Sequence, residues 1–497
     1  MAIQANVFAH QNGPILAQAS SVKAFLVPIL LAAIPALLLQ TPSLLILPLI
    51  AASLAIMFAP RVGLYTAIAL VGIDPAPYDP ITAQLGFFFA PMDGVSLTPL
   101  ELLVALTASS AFIHRAAIGR LTLPDPAVTA SSLLLAAFLI LGVQQGMSRG
   151  GDFTIAVWEV RSLLLLIPVS FATALLITEK AHLRGLAAAV IPTLVLMTIE
   201  ALWRYLTYVR SNPVSGPLEF AFGHETALLV GLLVVLSSAW VVWGPNRKQR
   251  LIALAVTVLA FVVLLTMRRR AGLIGAETGL LCIGLFLLLK ESRRFLFIAP
   301  VVLILSAAYL GAFWNNPNSL GEPARVLRTV FDPEETNDRD RASDDYRRAE
   351  MLNVWWAIQQ NPIDGAGFGT PYAKPMPMWD LSAFWPFWDY IPHNTILWLW
   401  LKGGILALLS FWCLVGFALQ RSATAFRLTH DPVLKAAAAS VCAYLVMFVM
   451  FSYVDLGLTN ARLIVPLGIS LGLVSLFRRL AESEIESVPL QRSGARQ

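Results

Sequence analysis

The residues that could do chemistry in this chain are few, and they gather in a handful of places. Arg268, Arg269 and Arg270 form an unbroken triplet between two long apolar runs. Arg347 and Arg348 repeat the theme in a polar stretch, and His393 with Asn394 opens a further apolar run. His224 opens another, and Arg161 sits two residues after Glu159 inside a third. Guanidinium groups bind polyanions through charge-assisted, often bidentate hydrogen bonds. A histidine beside them suits proton abstraction near neutral pH. Arginine clusters with a histidine therefore point to chemistry on a polyanionic ligand. Neighbouring residues on a helix point about 100° apart, so the triplet cannot face one cavity as a whole.

The elements that must position these groups are membrane helices. The 497 residues are 57% hydrophobic and 13% charged, about half the charged fraction of a soluble domain. Apolar runs long enough to span a bilayer recur along the chain, and they are continuous rather than alternating, which excludes a membrane barrel. The expected fold is all-α, a polytopic bundle of about 12–14 transmembrane helices. Spans are expected at 23–40, 43–59, 62–74, 97–114, 127–145, 154–177, 184–207, 223–243, 251–268, 270–289, 295–314, 394–418, 435–455 and 461–477. The first run has no cleavable signal pattern and reads as the first span. The three cysteines lie within apolar runs and show no disulfide or metal-ligand spacing. The formal charge of +5 is no nucleic-acid signature, because in a membrane protein the placement of Lys and Arg carries the information.

The short basic loops at 114–120, 179–184, 246–250, 290–294, 420–435 and 478–479 all fall on one side when the spans are counted. By the positive-inside tendency that side is cytoplasmic. The chain then divides into a cytoplasmic segment 1–22, helices over 23–314, an outer loop domain 315–392, helices over 393–478 and a cytoplasmic tail 479–497. The arginine triplet lies outside, against the tendency, which favours a polyanionic ligand over arginines snorkelling to lipid phosphates. Four histidines map to the cytoplasmic side and only His224 and His393 to the outside.

Within the outer loop, Met351, Val354, Trp355 and Ile358 follow helical spacing. An amphipathic helix is expected to start at Asp344 or Asp345 and to stop before Pro362, with Arg347 and Arg348 in its first turn, where cations oppose the helix dipole. The stretch DGAGFGTPY lacks the strand–helix context of a nucleotide loop and reads as a tight turn whose amides are candidates for phosphate contact. Trp379, Phe384, Trp385, Phe387, Trp388 and Tyr390 form either an interfacial belt or a platform for a sugar or polyprenyl chain. Glu159 and Arg161 are expected to pair with each other or bind substrate, and Glu200 with Arg204 to form an ion pair at i,i+4. Glu277 lies seven residues beyond Arg270, on the same helix face.

The order of these pieces resembles the O-antigen ligase/polymerase superfamily. The matching residues are Arg270 with Ala271-Gly272-Leu273, Arg347 with Glu350, Asn361-Pro362, Gly365, Gly367, Gly369, His393-Asn394 and Gly403-Gly404. The resemblance covers residues 250–420; before that the match is mainly in helix count and hydropathy. It implies an undecaprenyl-diphosphate-linked saccharide donor, a glycan or lipid acceptor, no nucleotide, metal or other cofactor, and a site on the periplasmic face of a bacterial inner membrane. It gives catalytic roles to His393, Arg270 and Arg347. Arg269, Arg268, Arg348, Arg161, Asn394 and His224 stand as substrate-binding candidates, and His224 is the rival histidine. Both arginine sites are runs, so the register within each stays open.

On this reading the protein is a membrane glycosyltransferase of exopolysaccharide or O-antigen (lipopolysaccharide) assembly. Its surroundings are membrane lipids and a polysaccharide chain-length regulator, with no nucleic acid. Polymerase and lipid A-core ligase differ only in acceptor. A flippase or transporter is the alternative of another class; internal repeats would support it, and none is visible.

Overall fold

A computed structural model of the chain describes residues 51–76, 82–90, 97–119, 121, 124–209, 222–267, 269–316, 321–331, 338–383 and 385–486. The regular structure among the described residues is helical, with no strand, and eleven of the helices are long and apolar enough to cross a membrane. In chain order they are α1 (Pro60–Val71), α2 (Pro99–Ala117), α3 (Pro126–Ser148), α4 (Phe153–Leu176), α5 (Lys180–Arg204), α6 (His224–Trp243), α7 (Arg247–Thr266), α8 (Arg270–Lys290), α9 (Ser292–Phe313), α10 (Glu322–Phe331), α11 (Asp338–Gln360), α12 (Thr395–Leu428), α13 (Pro432–Val454) and α14 (Ala461–Glu486). Of these, α1 is a short apolar helix, and α10 and α11 belong to the polar loop segment. The expected spans from 97 onward coincide with these helices, and 62–74 with α1. The expected span 23–40 and residues 43–50 of the span 43–59 lie outside the described residues, as does Arg268.

Contacts divide the chain into two compact units. In the first, α1 packs on α2: Gly63 leaves room for Thr107, and the Ser110 hydroxyl donates to the carbonyls of Ile56 and Met57. The second unit, residues 125–167 and 201–497, carries every described candidate site residue. There α6, α13 and α14 are largely buried, and α12 packs against α3, α11, α13 and α14.

The helix ends of this unit sort as the sequence demands. Asp125, the N-cap of α3, is shared by Arg421 and Arg478 at 3.3 and 3.5 Å. Glu291 accepts from the Trp243 indole at 3.0 Å and pairs with Lys435 at 3.5 Å. Segments expected on one face therefore meet one another. The ends of α6, α12 and α13 that carry His224, His393 and Asp455 meet at the other.

Candidate active site

Two histidine–carboxylate pairs occupy that second end. His393 precedes α12, whose N-cap is Asn394; the Asn394 side chain accepts from the Leu397 N–H at 3.0 Å, so this asparagine has a structural task. His393 Nδ1 lies 3.1 Å from both oxygens of Glu350, and the His393 backbone N–H donates to Glu350 Oε2 at 2.9 Å. Glu350 is 2% exposed and the His393 side chain 23%. A carboxylate accepts, so Nδ1 carries the proton and Nε2 is left as the basic nitrogen. The rings of Tyr346 and Trp385 flank the imidazole at 5.8 and 5.7 Å, and the Trp388 indole donates to the Tyr346 hydroxyl at 2.8 Å. The aromatic segment thus packs around His393; its Phe384 lies outside the described residues. Burial, and then the charge of Glu350, push the Tyr346 phenol well above its ordinary pKa.

The second pair is His224 with Asp455, in direct contact through Nδ1 and Oδ2. Arg269 Nη1 lies 2.8 Å from His224 Nε2. A guanidinium can only donate, so Nε2 accepts and the Nδ1 proton points at Asp455. Arg269 also donates to the Phe222 carbonyl at 3.2 and 2.8 Å. Arg347 Nη2 lies 3.9 Å from the same Asp455 oxygen. Burial alone would raise the Asp455 carboxyl; His224, Arg347 and the Leu456 amide outweigh it and hold the pKa below the ordinary value. Thr395 ties the two pairs together, donating to the carbonyls of Ser452 and Asp455 at 3.0 and 3.1 Å.

Arg270 starts α8, where a cation opposes the helix dipole. Its Nη1 meets Asp344 at 3.3 Å. Asp344 precedes Arg347 by three residues on α11, so the two guanidiniums border one stretch of that helix. Arg348 is exposed. Among the described residues of the two runs, Arg269 and Arg347 join the histidine network, Arg270 stands at its edge, and Arg348 is exposed.

Several sequence expectations need correction. α11 begins at Asp338, not Asp344 or Asp345, so Arg347 and Arg348 fall in its middle rather than its first turn. It does end before Pro362. Its buried face is Glu350, Asn353, Val354, Ala357 and Ile358, while Met351 and Trp355 are exposed; polar residues that hold His393 and the loop displaced the purely apolar stripe. Glu159 does not pair with Arg161. It is fully buried, accepts from the Trp398 indole at 3.1 Å and the Gly369 amide at 2.5 Å, and faces the equally buried Lys402 at 3.4 Å. Arg161 instead lies over the Trp158 ring at 4.5 Å, and Trp158 contacts Phe387 at 5.7 Å.

The glycine stretch forms a tight turn but not a phosphate cradle. Its amides are already engaged: Gly365 with the Asn361 carbonyl, Ala366 with Leu401, Gly367 with Lys402, Phe368 with Gly142, and Gly369 with Glu159. Gly365, Gly367 and Gly369 have φ of 75°, 89° and 81°, which only glycine adopts without strain. The partner helix is broken to match. Gly404 is non-helical within α12, which frees the carbonyls of Leu401 and Lys402, and the loop amides satisfy them.

Asp455 and Lys402 were missed at the level of sequence. Lys402 had a signal, a lone cation inside the apolar run LWLWLKGG. Asp455 had a weaker one, an acid in the short outer turn before the last span.

Residues 255–412 match the family described as O-Antigen ligase. That segment includes Arg269, Arg270, Arg347, Glu350 and His393, and leaves His224 and Asp455 outside it. The O-antigen ligase of Salmonella typhimurium is 26% identical over 214 residues, which cover 42% of this chain and 48% of that protein. The chain thus spans about half the length of the curated relative it matches. Over this shared segment, the chain is similar to the O-antigen ligase family.

Proposed function

We propose that this membrane protein is a glycosyltransferase that moves a saccharide from undecaprenyl diphosphate to an acceptor hydroxyl at the periplasmic face of the inner membrane. The observation that carries this reading is the face of α11, where Arg347 and Glu350 lie one turn apart, Glu350 holding His393 and Asp344 holding Arg270. His393 Nε2 takes the proton of the acceptor hydroxyl. The freed oxygen pair bonds to the anomeric carbon, and the bond from that carbon to the phosphate oxygen breaks. The electron pair leaves with the diphosphate, whose growing charge Arg270 and Arg347 offset. Preorganised donors of this kind contribute on the order of 3 kcal/mol each. Glu350 fixes the tautomer, and Asp455 with His224 holds Arg347 and Arg269 in place.

The acceptor is read as a growing glycan, which makes the protein a polymerase of exopolysaccharide or O-antigen. A ligase using lipid A core is the second reading, favoured by the name of the Salmonella relative. The test is complementation of a deletion strain with His393→Ala, Arg270→Ala and Arg347→Ala, with expression checked by immunoblot. Lost polymer with lipid-linked donor accumulating outside supports the reading. Normal polymer from all three variants contradicts the site, and donor accumulating on the cytoplasmic face points to a flippase.

A further inference from the structure

Glu277 lies within the membrane-spanning helix α8, about 10 Å below Arg270. Its side chain is exposed, and among the described residues no hydrogen bond or ion pair engages it. At 100° per residue, Arg270, Ile274, Glu277, Leu281, Gly284 and Leu288 form one stripe along α8. Leu281 is 72% exposed, and a side chain at Gly284 would meet open space. The next helix, α9, is apolar on every side yet has no buried residue. A helix that is apolar all round suits a membrane span, where lipid covers it.

Ionisable residues inside membrane helices ordinarily face the bundle interior or a partner charge. Lipid tails satisfy Leu281, Leu288 and all of α9, but not a carboxylate. A second copy whose two-fold axis passes through this stripe would bring Glu277 against its own equivalent, like charge on like. The complementary occupant is cationic. We propose that the exposed face of α8 and α9 binds a transmembrane helix of another protein that carries a lysine or arginine at the depth of Glu277, with Gly284 allowing close approach. Leucine contacts alone would be matched by lipid, so the ion pair selects the partner. The stripe starts at Arg270, which sets such a partner beside the proposed active site, although the inference stands without that reading.

The probe is a synthetic leucine-rich transmembrane peptide with one lysine at that depth, labelled for energy transfer to the full-length protein in vesicles. The same peptide with leucine in place of the lysine is the comparison. The lysine peptide is expected to bind roughly tenfold more tightly than the leucine peptide. Glu277→Leu should erase that preference, and Leu281→Trp, which leaves the charge and adds bulk, should weaken binding of the lysine peptide. Equal binding of the two peptides, or a lysine preference that persists in Glu277→Leu, overturns the proposal. So does peptide-independent self-association that Glu277→Leu abolishes, because it would make the occupant a second copy.

Discussion

His393 Nδ1 sits 3.1 Å from both carboxylate oxygens of Glu350, and Oε2 also accepts from the His393 backbone N–H at 2.9 Å. The imidazole is therefore fixed in position and in tautomer by a single buried group. His393→Ala is expected to lower turnover by roughly 10²–10⁴-fold. Glu350→Gln keeps the shape but removes the charge, and should also lower turnover with little change in KM. Steady-state kinetics on purified variants checks both.

Arg269 and Arg270 are adjacent but make different contacts. Arg269 is tied to Phe222 and His224, whereas Arg270 makes a 3.3 Å contact with a half-exposed Asp344. Arg269→Ala should lower the melting temperature, since hydrogen bonds to charged groups are worth about 1.5–3 kcal/mol. Arg270→Ala should melt near wild type yet transfer roughly 10²-fold more slowly. Melting curves and transfer rates on the two variants separate the roles.

Lys402 and Glu159 are both fully buried. Removing one partner of such a pair costs about 3–5 kcal/mol, because it strands the other charge. Lys402→Met should therefore melt far below wild type. Lys402→Met with Glu159→Gln should recover much of the loss, since the glutamine carbonyl can still accept from Gly369 or Trp398. A melting series on the two variants tests this.

A Cβ at Gly367 would approach the Gly146 amide nitrogen to 2.3 Å at φ of 89°, whereas one at Gly150 would meet nothing within 4 Å at φ of 80°. Gly150→Ala bears only the backbone strain, about 1–2 kcal/mol. Gly367→Ala adds a backbone clash and should displace the loop from α3 and α12. The expected outcome is a mildly destabilised first variant and an unstable, inactive second, read from detergent melting curves.

The Asp455 carboxyl is depressed in the folded protein, so its contribution to stability is present above the unfolded carboxylate range and is lost as pH falls through the folded value. The melting-temperature gap between wild type and Asp455→Asn should hold at neutral pH and close below about pH 4. Melting curves across pH 3–8 check the sign.

Much of the bundle was legible because continuous apolar runs leave little choice of helix position. α11 was legible only where Met351, Val354, Trp355 and Ile358 supply periodicity; its first turns are polar, so its start at Asp338 escaped. The ordered arginine and histidine positions were legible as types, but not which member of each run joins the network, since one residue of register turns a side chain by about 100°. The partners of Glu159, Lys402 and Asp455 are tens to hundreds of residues distant in sequence, and no local pattern encodes such pairings.

The most direct test is transfer in proteoliposomes loaded with wild type, His393→Ala, Arg270→Ala or Arg347→Ala, supplied with an undecaprenyl-diphosphate-linked oligosaccharide and a glycan acceptor. Wild type should release undecaprenyl diphosphate in step with glycan elongation, and each variant should fall by at least about 10²-fold. Transfer by His393→Ala and Arg270→Ala at the wild-type rate would contradict the account.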